Sequence, residues 1–131
     1  MDIVDFLGTV YLGDRMCSAI SIDGVSSEIR LHIDLISRVR GTEWNFYSDE
    51  DVSNGAMVFE GVRSFSLGPE RCLPPNAWIE VVSATRLNAD LNKVVISLGN
   101  VGSNAVSTEL VLTLECQAMS IETTDGRRIR A

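Results

Sequence analysis

From Glu28 to Leu35 every second residue is apolar: Ile29, Leu31, Ile33 and Leu35 alternate with Glu28, Arg30, His32 and Asp34 without an error. Successive side chains of an extended chain point to opposite faces, so this run is a β-strand with one face in a core and the other in water. Upstream, Ile20 and Ile22 set a shorter register of the same kind, and Asp23-Gly24 between the two runs is a turn signal. The pair predicts a hairpin.

The rest of the chain repeats this character. AMVFEGVRSFSLG resumes strand patterning, with a break at Gly61 that predicts a bulge, and GPERCLPPN ends it because Pro74 and Pro75 cannot donate ladder hydrogen bonds. WIEVVSATRL, KVVISLGNV and VSTELVLTLE are rich in β-branched residues. They carry two inward rows, Val94/Ile96/Leu98 and Leu110/Leu112/Leu114, with GNVGSNA as a hairpin loop between the last two. AMSIET adds a short strand or extends its predecessor, and Asp125-Gly126 then releases a polar tail. Only the opening differs: Ile3, Phe6, Leu7 and Val10 fall at helical spacing, with Asp2 placed to cap and Gly13 placed to stop. A chain of 131 residues with 45% hydrophobic and 22% charged residues forms one domain, 1–131, with a real core. There is no βαβ rhythm. The expected fold is mainly β: an antiparallel two-layer β-sandwich of six to seven strands with a short N-terminal helix, the alternative being a partly open β-barrel.

Charge narrows the class of partner. Eighteen acidic against eleven basic residues give −7, which repels a phosphate backbone and argues against nucleic acid. No apolar stretch is long enough to cross a bilayer, and the N-terminus is acidic where a secretory signal is basic, so neither a membrane nor export is expected. Cys17, Cys72 and Cys116 are isolated and odd in number, which suits buried thiols in a reducing compartment and makes cytoplasm the expected location.

Little in the sequence carries bond-making chemistry, and the expectation is a protein that is not an enzyme. His32 is the single histidine. It shares a strand face with Arg30 and Asp34, at about 7 Å for two-residue spacing, yet the same alternation makes all three a solvated face with no nucleophile tied to it. Glu43, Asp49, Glu50 and Asp51 bring four carboxylates close together, but without the alternate acids, central glycine and closing glutamate of a calcium loop. Gly99 and Gly102 lead from strand to strand with no helix N-terminus to hold a phosphate. No metal, cofactor or catalytic residue is expected. The most informative block is TEWNFYSDED. Trp44, Phe46 and Tyr47 directly precede the acids, and aromatic anchors beside a charged rim are the composition of a protein interface. The competing reading has Trp44 and Phe46 plug the end of the sandwich while the acids stay in water.

The opening YLGDR (Tyr11 to Arg15) and the block Trp44, Asn45, Phe46, Tyr47, Asp49, Glu50, Asp51, together with VFEGVRSFSL and VSTELVLTLE, resemble a family of small bacterial proteins of about this length, classed as a domain of unknown function. The resemblance spans nearly the whole chain and implies no catalytic residues. In size and charge such proteins are similar to the immunity proteins that bacteria pair with secreted toxins. The leading expectation is therefore a protein-binding module, an immunity protein engaging a basic toxin domain through Glu43, Trp44, Phe46, Tyr47, Asp49, Glu50 and Asp51. Two alternatives stand beside it: a small-ligand binder or enzyme using the His32 face, and a homo-oligomeric structural protein joined through an unpaired edge strand such as AMSIET.

Overall fold

The computed structural model describes residues 2–38, 51–69, 77–101 and 107–130. Helix α1 spans Ile3–Gly8; the Asp2 carboxylate caps it by accepting from the Asp5 amide at 2.8 Å, and Ile3, Phe6 and Leu7 are buried. The helix ends before Gly13. The Thr9 hydroxyl donates to the Phe6 carbonyl at 2.7 Å, and the chain enters a two-residue strand β1, Val10–Tyr11. The other strands are β2 Met16–Asp23, β3 Glu28–Arg38, β4 Val52–Glu60, β5 Ser64–Pro69, β6 Ala77–Asn88, β7 Leu91–Val101, β8 Ser107–Cys116, β9 Ala118–Glu122 and β10 Arg128–Arg130.

All pairings are antiparallel, in the order β10-β9-β4-β3-β2-β6-β7-β8-β5, with β1 beside β3. The fold is mainly β and sandwich-like. One half is β10-β9-β4-β3-β2 and the other β6-β7-β8-β5; a two-pair seam, Met16↔Trp78 and Cys17↔Ala77, joins them. The terminal strands β10 and β5 do not pair with each other, so the sheet is not closed into the alternative barrel.

The predicted rows form the core. Val94↔Leu114, Ile96↔Leu112 and Leu98↔Leu110 are direct cross-strand partners and all six are buried. In the other half Ile29↔Phe59 and Leu31↔Met57 are likewise buried. Each such side chain contributes about 1.5–3 kcal/mol by leaving water. The β2–β3 hairpin forms with the predicted turn, pairing Asp23 with Glu28.

Several expectations are corrected. There are ten strands, because β1 and β10 are too short to show a period and the run around Gly61 divides into β4 and β5. Gly61 has φ +62, and a Cβ there would collide with the Gln117 side chain; the break is a turn of the ribbon, sealed by Gln117 N–H to the Glu60 carbonyl at 3.0 Å. The tail after Gly126 is paired: Arg128, Ile129 and Arg130 lie against Glu122, Ile121 and Ser120. AMSIE is therefore an interior strand, flanked by β4 and β10, and offers no edge to a second copy. At the end of β3 the alternation lapses: Leu35 is half-buried and Ile36 is in the core.

Candidate functional site

The outer face of β3 is not simply solvated. Glu28 is only 8% exposed. Arg128 donates to Glu28 at 2.7 Å, to Glu60 at 3.3 Å and to Glu122 at 3.1 Å, while Arg30 reaches Glu122 at 3.3 Å and Glu28 at 3.5 Å, and Arg130 bonds Glu60 at 2.7 Å. Three guanidiniums and three carboxylates thus neutralise one another across β3, β4, β9 and β10, on the face that carries the buried Val58 and Ser120. The Arg128 hydrogen bond, outweighing the cost of burial, holds the Glu28 carboxyl below the usual glutamate range, and Glu28 in turn raises the Arg128 guanidinium. This lattice ties strands together.

His32 sits at its margin, half-buried, with Nε2 3.0 Å from Ser21 Oγ. That hydroxyl is a nucleophile type that sequence spacing did not connect to the face, because Ser21 lies diagonally across the hairpin, opposite Arg30. Asp34 does not orient the imidazole in this arrangement: its Oδ1 accepts from the Met16 amide at 3.0 Å and the Leu35 amide at 2.8 Å.

Of the acidic and aromatic block, Asp51 alone is described. It is exposed, just before β4, beside a hollow shared with Ser53, Thr123, Asp125 and Arg127. Glu43, Trp44, Phe46, Tyr47, Asp49 and Glu50 lie outside the described residues. The strands on either side are both paired, Arg38 with Val10 and Val52 with Ile36. The Arg38 guanidinium lies 4.6 Å from the Phe6 ring centroid and donates to Thr9 Oγ1.

A larger hollow than that beside Asp51 lies elsewhere. A groove of about 820 Å³ runs between the α1–β1 segment and β6, with Leu7, Val10 and Leu12 on one wall and Trp78, Ile79 and Val81 on the other. Among the described residues its charged lining groups are Asp14, Glu80 and Glu109, all exposed, and no described lysine, arginine or histidine lines it. Trp78 is 55% exposed. The reason is its phase: Ala77 and Ile79 take the core side of β6, so Trp78 points outward, and its partner Gly99 has no side chain to cover the indole. The alternation of WIEV puts Trp78 outward from sequence alone; the wall facing it, some 65 residues earlier in the chain, was not readable that way.

Over residues 1–131 the sequence matches a family of unknown function, DUF6258. The chain belongs to this family. No curated protein and no solved structure matches it.

In this DUF6258 chain the described residues contain no group of three or more His, Cys, Asp or Glu side chains placed to hold a metal ion, and no helix long and apolar enough to cross a membrane. Cys17 and Cys116 are buried free thiols; burial raises both, pushing Cys116 up to about 12. Cys72 lies outside the described residues. Neither described cysteine has the accessible, electropositive surroundings of a reactive thiol.

Proposed function

We propose that this protein is a binding module for a basic protein partner, acting from the cytoplasm as an immunity protein against a toxin domain. The reading rests on one observation above the others: a half-exposed tryptophan at the lip of an apolar groove whose charged lining groups, among the described residues, are carboxylates. A large aromatic anchor in a recess, surrounded by charge of one sign, is the composition of an interface hot spot with electrostatic steering. The chain charge of −7 acts in the same direction. The block from Glu43 to Asp51 is expected from sequence to touch the partner; its one described residue, Asp51, is exposed and lines a separate hollow with Ser53, Thr123 and Arg127. Its acids and aromatics are proposed as further partner contacts on their composition alone.

The experiment is co-expression with the products of the reading frames that flank its gene, followed by copurification and calorimetric titration at two salt concentrations. A stoichiometric complex whose affinity falls with salt supports the reading; no complex with any of these products, or one of salt-independent affinity, contradicts it.

One observation favours a second reading. Ser21 Oγ and His32 Nε2 are within hydrogen-bonding distance at 3.0 Å, the first contact a serine nucleophile requires. Turnover of an activated ester that is lost in both Ser21→Ala and His32→Ala would establish it. Equal rates in wild type and variants would remove it.

A further inference from the structure

The path of paired strands has two ends, and they are built differently. β10 ends it with Arg128 and Arg130, both engaged with glutamates. β5 ends it with Ser64–Pro69, which pairs with β8 on one side; no described residue pairs with the other. Its sequence, SFSLGP, contains no ionisable side chain. Free edges are ordinarily guarded by charge, bulges or a covering segment, because their open N–H and C=O groups recruit any strand they meet. Among the described residues β5 carries one feature that weakens an edge, Pro69 at its far end, which has no N–H to donate.

The core rows also stop short there. Phe65 stands opposite Leu114, and Leu67 opposite Leu112; both leucines are fully buried. Phe65 and Leu67 therefore occupy the core-facing row of their sheet, yet they are 47% and 41% exposed. Ile22, also exposed, shares with Phe65 a small hollow of about 140 Å³. The rows Val94–Leu114–Phe65 and Ile96–Leu112–Leu67 are sealed through β7 and β8 and open at the last strand.

We propose that the β5 edge is closed by β5 of a second copy, paired antiparallel across a two-fold axis. A strand edge takes a strand, and two identical strands running antiparallel are self-complementary: each presents its Phe65/Leu67 row to the other. Charge selects the same partner and place. Two chains of −7 repel one another, and β5 is a stretch where they meet with no charge on either side. A two-fold β5–β5 contact uses up that edge in both copies, and the opposite end is a strand of only three residues carrying Arg128 and Arg130, so the association closes at two copies. The groove beside Trp78 is centred on α1 and β6 and reaches β8 at Glu109, with no β5 residue among its described lining, so a dimer would carry two open grooves.

Sedimentation equilibrium of the full chain from micromolar to millimolar concentration tests this. The expected result is a reversible dimer of twice the 14.3 kDa chain mass, with a dissociation constant below about 100 μM. Leu67→Lys, shown folded by its circular dichroism, is expected to sediment as a monomer throughout. Should Leu67→Lys fail to fold, Ser66→Lys on the opposite face of the strand carries the test: two lysines meeting at the axis weaken the dimer at least about tenfold at low salt, and less at high salt. A wild type monomeric to about 1 mM, a folded variant that dimerises as tightly as wild type, or an open-ended ladder of larger species would each overturn the proposal.

Discussion

Arg128 and Glu28 are a hundred residues apart in sequence and joined by two parallel hydrogen bonds, Nη1 to Oε2 at 2.7 Å and Nη2 to Oε1 at 3.3 Å. The fork fixes a three-residue strand that has too few backbone bonds to hold itself. Arg128→Ala should therefore cost about 1–3 kcal/mol, since it leaves Glu28 largely shielded from water without its main partner. Arg128→Lys, which keeps the charge and loses the fork, should recover only part. Urea unfolding midpoints of the three proteins check both statements.

The same pair sets a pH dependence. The folded Glu28 carboxyl lies below its unfolded value because Arg128 donates to it. The unfolded chain thus takes up the proton first, and the stabilisation is complete above the usual glutamate range and lost as pH falls through it. Stability measured from neutral down to about pH 3 should decline more steeply for wild type than for Glu28→Gln. Parallel profiles would show that Glu28 is not the group responsible.

Burial makes Cys17 and Cys116 inert, with the Cys116 thiol raised to about 12. Iodoacetamide at about pH 8 should leave both unmodified in the native protein and label them after unfolding, as read by peptide mass spectrometry. Native labelling of Cys116 would mean that the β7–β8 layer opens readily.

Charge reversal at the groove should separate steering from anchoring. Glu80→Lys and Glu109→Lys are substitutions of exposed residues and should leave thermal stability within about 0.5 kcal/mol of wild type. They should slow association with a basic partner most at low salt. Stopped-flow association rates at two ionic strengths give the comparison.

Sequence reading recovered those parts of the fold where periodicity runs long enough to be counted. The eight-residue alternation of β3 and the paired rows of β7 and β8 gave their own inward faces, and Asp2 announced the helix start. Short elements failed for the same reason: three residues such as Arg128–Arg130 show no period, and their pairing is decided by glutamates on β3, β4 and β9. Alternation alone assigns Glu28 and Arg30 to water, because it distinguishes core from outside, and not open water from an ion-pair lattice on the outer face. The Ser21–His32 contact is diagonal across a hairpin, and the Trp78 groove joins α1 to β6; neither leaves a mark in local spacing. Among the residues expected to touch a partner, Asp51 is the one whose exposure the structure records.

The central claim is that Trp78 anchors a protein partner. Its most direct test is calorimetric titration of the flanking-gene product that copurifies with it into wild type, Trp78→Ala and Leu87→Ala. Leu87 is a comparably exposed apolar residue on the same strand that does not line the groove. The account predicts a loss of at least about thirtyfold in affinity for Trp78→Ala, the scale of an interface hot spot, and less than about threefold for Leu87→Ala. Equal affinities for wild type and Trp78→Ala, with both proteins folded, would contradict it.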